Sequence, residues 1–108
     1  MLPGIYLLQF GSITGGLAVL DGRRIHGGDI GFLYRGTYEE NSGKIKARIE
    51  IVRHNPQIQS PIFGAIKNAT LALQGSSQPT SFTVSGSAVE MPQRQITITG
   101  VKKLDLAP

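Results

Sequence analysis

Residues 44–51 of the chain read Lys44-Ile45-Lys46-Ala47-Arg48-Ile49-Glu50-Ile51. In an extended chain successive side chains point to opposite faces, so this stretch carries Ile and Ala on one face and only charged residues on the other. A helix would spread both kinds of side chain around its circumference, because its period is about 3.6 residues. The stretch therefore predicts a β-strand with one face on a hydrophobic core and the other face in water.

The same alternation recurs in three later segments, residues 69–74, 81–85 and 95–99, whose second faces are mostly Thr, Ser and Gln. Two earlier segments, 5–8 and 17–20, are apolar on both faces. Gly, Asn, Ser and Pro separate the segments at short intervals, and we expect turns at Asp21-Gly22, Asn41-Ser42-Gly43 and Gly75-Ser76-Ser77-Gln78-Pro79. The chain is thus predicted to contain eight strands: 4–10, 15–21, 23–27, 32–40, 44–53, 68–75, 81–88 and 94–103.

The composition of the 108 residues fits one small domain built from such strands. The chain has 14 glycines, and glycine costs roughly 1 kcal/mol in a helix interior, so a helical bundle is disfavoured. With no cysteine, neither disulfide bonds nor a thiolate-bound zinc ion hold the domain together. About eight strands close into a barrel just wide enough to be filled by side chains or to hold one small ligand. We therefore predict an all-β domain over residues 1–108, a small closed antiparallel β-barrel.

Residues 54–66 interrupt the pattern, because two prolines exclude a regular central strand there. Ile58, Ile62, Phe63 and Ile66 recur at roughly helical spacing within this segment. We expect one short helical segment that lays these four side chains over an open end of the barrel.

The interior of the predicted barrel includes Leu7, Leu71, Phe82 and Ile96. If these side chains and the segment 58–66 fill the barrel, it has no room for a ligand. If they only line it, a pocket for a small apolar molecule remains. The sequence leaves both alternatives open.

The strands that are apolar on both faces, residues 5–8 and 17–20, need cover outside the barrel as well as inside it. A helix or another subunit would provide that cover. We expect a second copy of the chain, and hence a homodimer.

The residues that could carry chemistry are few. His26 and His54 are the only histidines, and neither has a second ligand at metal-site spacing, so we predict no metal site, no cofactor and no enzymatic activity.

The sequence Gly27-Gly28-Asp29-Ile30-Gly31 lacks the Lys and Ser/Thr of a phosphate-binding loop. We interpret it as a tight reversal in which the two leading glycines supply positive φ or close packing and Asp29 accepts backbone N–H bonds. The alternative is a surface loop that a partner contacts through His26 and Asp29.

The formal charge of +4 is distributed over several strands rather than concentrated in one arm. The most densely charged strand, 44–50, carries no aromatic residue on which a base could stack, so we expect no direct nucleic-acid binding.

Residues 1–20 lack a basic leader region, and their apolar run is interrupted by polar residues, so we expect them to belong to the folded domain. No apolar run approaches the length of a membrane span. We expect a cytoplasmic location.

Residues 26–38 read His-Gly-Gly-Asp-Ile-Gly-Phe-Leu-Tyr-Arg-Gly-Thr-Tyr and resemble the GrlR-like family, the negative regulators of bacterial type III secretion. The order of elements is similar over nearly the whole chain. An opening Gly-Ile-Tyr strand precedes Gly15-Gly16-Leu17-Ala18-Val19, and Gly43-Lys44-Ile45 opens a long strand before the closing Ile96-Thr97-Ile98-Thr99-Gly100.

This resemblance implies a lipocalin-like, dimeric eight-stranded barrel without enzymatic activity that binds a transcriptional activator. The best-known member carries an exposed acidic run for partner binding, and this chain has only Glu39-Glu40 before Asn41. The candidate partner contacts are therefore Glu39, Glu40 and Asn41, with His26 and Asp29 at another turn; the alternative for the acidic pair is a solvated turn flank. The alternative function is that of a lipocalin-like carrier or sensor of a small apolar ligand.

Overall fold

A computed structural model of the chain describes residues 1–60, 64 and 66–108, and only the backbone of Thr14. Each strand pairs antiparallel with the next, and the last pairs with the first, so the described residues form a closed barrel of eight strands. This confirms the predicted fold class. The strands are β1 (Gly4–Phe10), β2 (Ile13–Asp21), β3 (Arg24–Gly28), β4 (Phe32–Asn41), β5 (Lys44–Arg53), β6 (Asn68–Gln78), β7 (Ser81–Ala88) and β8 (Met91–Leu104).

The strand bounds agree with the predicted ones to within two residues except at the start of β8 and the end of β6, where each strand is three residues longer than predicted. A turn was expected over residues 75–79, but β6 continues to Gln78 and pairs there with Ser81 of β7. Gly75 fits this ladder because a Cβ at its position would lie only 1.9 Å from the carbonyl oxygen of Thr83. The strand ends at Gln78, because the next residue, Pro79, has no N–H to continue the pairing.

Two of the predicted turns are two-residue hairpins. Gly22 and Arg23 have φ values of 60° and 67°, and Ser42 and Gly43 have values of 53° and 77°. Successive left-handed residues are what a type I′ turn requires, and this turn matches the twist of paired strands. The turns expected at residues 21–22 and 41–43 are therefore confirmed.

The predicted helical segment is not found: across residues 1–60, 64 and 66–108 the structure contains no helix, and thus none with the length and hydropathy of a membrane span. Instead, Ser60 and Gly64 exchange two backbone hydrogen bonds of 2.9 Å. Proline-containing backbone in this connection favours turns over a helix. Ile58 packs against Gly31 at one end of the barrel, whereas Ile62 and Phe63 lie outside the described residues.

Inward-facing side chains form one hydrophobic core along the barrel axis. In β5, for example, Ile45 and Ile51 are buried while the intervening charged residues point outward, as the alternation predicts. The core residues come from all eight strands.

The two ends of the barrel differ in their connections. We call the closed end the one that carries Met1 and the short turns at 22–23, 42–43 and 79–80. We call the open end the opposite one, which carries the longer connections 29–31 and 54–67 in addition to two-residue turns at 11–12 and 89–90.

Candidate functional site

A cavity of about 390 Å³ lies at the open end, and we call it the open-end cavity. Binding sites for small molecules range from roughly 300 to 1,000 Å³ and are mostly apolar, so both its size and its lining fit such a site. Its apolar lining residues are Phe10, Ile13, Ile30, Phe32, Tyr34, Ile51, Ile58, Leu71 and Ile96. Two of them form an apolar rim, because Ile13 is 42% exposed and Ile30 is 74% exposed.

The rest of the barrel interior is nearly filled. Below the open-end cavity the structure leaves a void of about 40 Å³, which has an entirely apolar lining that includes Met1, Leu8 and Phe82. A dry apolar void of this size has no polar partners for water and no room for a larger molecule. The two alternatives left open by the sequence therefore apply to different parts of the barrel: side chains fill its lower part and line its open end.

Three of the four predicted interior residues face the inside of the barrel. Leu71 and Ile96 are buried and line the open-end cavity, and partly buried Phe82 lines the lower void. The prediction for Leu7 is wrong, because its side chain lies on the outer wall and is 50% exposed. Tyr6 points inward, and strand alternation places its neighbour outward.

Four residues bring polar groups to the wall of the open-end cavity: Asp29, the hydroxyl of Tyr34, Gln59 and Ser60. Asp29 Oδ1 accepts backbone N–H bonds of 2.8 Å from Gly31 and from Phe32, which confirms that Asp29 caps this turn. Its Oδ2 accepts the hydroxyl proton of Tyr34. Burial, and secondly this bond to Asp29, raise the pKa of Tyr34 far above its usual value, so the hydroxyl keeps its proton.

The glycines that precede Asp29 have a packing role. Neither Gly27 nor Gly28 has a positive φ, so of the two predicted explanations only close packing applies. A Cβ at Gly27 would lie 2.0 Å from the carbonyl oxygen of Leu17, so β2 and β3 approach too closely there for any side chain.

The structure places the two histidines differently from the sequence interpretation. His26 is exposed on the outer wall, where it pairs in register with Arg35. His54 is the histidine beside Asp29, with its Nε2 2.9 Å from the Asp29 carbonyl oxygen. No local sequence signal indicates this contact, since the two residues are 25 positions apart. Within the described part of the chain, no group of three His, Cys, Asp or Glu side chains is placed to hold a metal ion.

The predicted acidic pair, Glu39 and Glu40, lies at the closed end, and its two side chains point to opposite faces of β4. Glu39 and Asn41 are exposed, but Glu40 is not a free surface acid. Its Oε1 lies 2.7 Å from the Met1 amino group, and its Oε2 accepts the Ser77 hydroxyl. These two hydrogen bonds, the amino group first, hold the pKa of Glu40 below its usual range. Strand alternation explains the difference, because neighbouring residues of a strand face opposite sides.

An exposed apolar row on the outer wall was only partly anticipated from the sequence. In register, Leu7 pairs with Leu17 on one side and with Val101 on the other, and Leu33 pairs with Val52. Gly28 of β3 lies between Leu17 and Leu33 in the same register. We call these five apolar side chains, each at least one-third exposed, the apolar row.

No protein-family model matches this chain, and a search of curated proteins finds no similar sequence.

Proposed function

We propose that this protein is a non-enzymatic binding protein that holds a small apolar ligand at the open end of its barrel. The observation that carries the proposal is the open-end cavity, with its volume of about 390 Å³ and its mostly apolar lining. Burying apolar surface is worth roughly 25 cal/mol per Å², so such a lining supports useful affinity without charged contacts. Because the lower void holds only about 40 Å³, the ligand lies near the open end and is not enclosed along the barrel axis.

The rim supports the same proposal. Ile13 and Ile30 are exposed and also line the open-end cavity. Exposed apolar residues at the edge of an apolar cavity are typical of a binding surface. A ligand in the cavity would cover both side chains.

Titration with an uncharged apolar fluorescent probe such as N-phenyl-1-naphthylamine tests the proposal. Ile13→Ser should weaken probe binding by roughly threefold to tenfold, since about 1 kcal/mol of apolar burial is lost. Leu17→Ser is the matched control, because it lies in the same strand with the same exposed fraction of 42% but outside the cavity. Failure of the wild-type protein to bind, or an equal loss in both variants, would contradict the proposal.

The apolar row favours a second candidate function, that of a cytoplasmic homodimeric regulator resembling the negative regulators of type III secretion. A row without charges is complementary to a second copy of itself, as a twofold symmetric interface requires. Glu39, Asn41 and His26 are exposed and thus free to contact a transcriptional activator, whereas Glu40 and Asp29 are engaged within the chain.

Light scattering at tens of micromolar, and a reporter of type III secretion genes, test this second candidate. We expect a dimer that Leu17→Lys converts to a monomer, because a charge in the row cannot be buried against its copy. Thr83→Lys, on the polar wall of β7, is the control and should leave the dimer intact. A monomeric wild-type protein together with an unchanged reporter would rule out this candidate.

A further inference from the structure

The Asp29 carboxylate lies half-buried at the wall of the open-end cavity, and no cation pairs with it among the described residues. None of the lining residues that the structure describes is a lysine or an arginine, and the four residues outside the described part are uncharged. His54 contacts this turn as well, but through the backbone carbonyl of Asp29 and not through its carboxylate. The wall therefore carries an acidic group whose counter-ion the chain does not supply.

The hydrogen bonds of Asp29 and Tyr34 leave only acceptors available on these two side chains. The Tyr34 hydroxyl donates its one hydrogen bond to Asp29 Oδ2, and Oδ1 already accepts hydrogen bonds from two backbone N–H groups. The Tyr34 oxygen and the carboxylate can therefore only accept further hydrogen bonds. A ligand that satisfies them must bring a donor. Gln59 and Ser60 add uncharged polar groups from the connection above.

The space beside these acceptors is open because residue 16 is a glycine. A Cβ there would lie 3.0 Å from the Tyr34 hydroxyl oxygen and 3.4 Å from the Phe10 ring. The rings of Phe10 and Tyr34 stand edge to face, with centroids 6.1 Å apart. Aromatic faces within about 6 Å attract a cation, and a nearby carboxylate adds to that attraction.

We infer that the open-end cavity binds an apolar molecule with a protonated amino group, the ammonium lying against Asp29, Tyr34 and Phe10 and the apolar part among Ile51, Leu71 and Ile96. This inference rests on the proposed function and specifies its ligand. The same wall disfavours an apolar carboxylate, because two carboxylates at one site without a cation repel each other.

Calorimetric titration with three ligands of equal chain length tests the inference: decylamine, decanol and decanoate, at neutral pH and below their micellar concentrations. We expect decylamine to bind at least tenfold more tightly than decanol, and decanoate most weakly. Asp29→Asn keeps an oxygen for the two backbone donors, so it should reduce decylamine affinity to that of decanol. Asp21→Asn, which makes the same charge change at an exposed position at the other end of the barrel, should leave the order unchanged.

The outcomes separate the inference from the proposed function. Equal binding of all three ligands, or tightest binding of decanoate, overturns the inference but leaves the proposed function standing. Binding of none of them overturns both. If Asp29→Asn does not fold, the wild-type ratio of decylamine to decanol affinity decides: it should fall with added salt, since salt screens the charge contact, and a constant ratio would overturn the inference.

Discussion

The hydrophobic core is covered differently at the two ends of the barrel. At the closed end, Tyr6 is fully buried and donates a hydrogen bond of 2.6 Å to the carbonyl of Leu2, while the Leu2 N–H donates one of 2.8 Å to Pro79. At the open end, the cavity is about ten times larger than the void below it, and Asp29 lacks a counter-ion among the described residues. The comparison shows that the closed end is packed and internally hydrogen-bonded, whereas the open end keeps the space in which we propose that a ligand binds.

The connections between the strands explain this difference between the two ends. Two-residue turns hold neighbouring strands together and leave no loop to carry a site. The longer connection after β5 leaves Ile58, Gln59 and Ser60 over the opposite end, where they line the open-end cavity. Binding residues are commonly found on loops held by a rigid scaffold, because loop backbone is free to vary without disturbing the core.

The largest effect is expected at the closed end, from Tyr6→Ala. This change should lower the free energy of unfolding by about 3–5 kcal/mol, as removal of a fully buried aromatic ring does. Tyr6→Phe, which removes only the hydroxyl that donates to the carbonyls of Leu2 and Pro79, should cost about 1 kcal/mol. Urea denaturation measures both, and a similar cost for the two changes would mean that the ring does not support the closed end.

A matched pair of glycine substitutions compares the two ends directly. A Cβ at Gly100 would lie 2.2 Å from the Phe82 ring inside the barrel, and one at Gly31 would lie 2.5 Å from Ile58 in the connection over the open end. Gly100→Ala should cost about 1–3 kcal/mol, because the packed interior cannot easily yield. Gly31→Ala should cost less, because Ile58 lies on a loop. Thermal unfolding of both variants checks the order, and the reverse order would contradict the comparison.

The acid stability of the closed end should depend on Glu40. Its pKa is lowered in the folded state, so its contribution is fully present above the unfolded value of about 4.3 and is lost as the pH falls through the lower folded value. Glu40→Gln should therefore be less stable than wild type at neutral pH, and the difference should shrink below about pH 4. Glu39→Gln, at the exposed neighbouring position, is the control. Denaturation curves between pH 2 and 7 that remain parallel for Glu40→Gln and wild type would contradict this prediction.

The smallest effect is expected from His54→Ala at the open end. His54 is exposed, and its ring forms a hydrogen bond with the backbone carbonyl of Asp29. The change should alter the free energy of unfolding by less than about 0.5 kcal/mol, as exposed substitutions usually do. Its effect on decylamine affinity should be less than twofold, because the carboxylate is untouched. A larger loss of affinity would place His54 in the binding site.

The sequence by itself determined the eight strands and the hairpin turns at residues 22–23 and 42–43, and the number of strands indicated a closed barrel. Period-two alternation, as in β5, and glycine-containing turns, such as residues 22–23, depend only on residues that are close in the chain. Both can therefore be recognised in a short stretch of sequence. Asp29 was likewise identified as a turn cap, since the N–H groups it accepts are only two and three residues away. Local chemistry of this kind needs no knowledge of the folded chain.

Only the tertiary structure decided which face of residues 5–8 points inward. Both faces of this segment are apolar, so the sequence pattern does not distinguish the inner face from the outer one, and the position of Leu7 on the outer wall could not be predicted. The tertiary structure also decided that Glu40 is engaged with Met1, 39 positions away, and that His54 rather than His26 meets Asp29. Such contacts depend on barrel closure, which brings distant strands together. The volume of the open-end cavity belongs to the same class, since it is the difference between the space that the closed sheet encloses and the side chains that fill it.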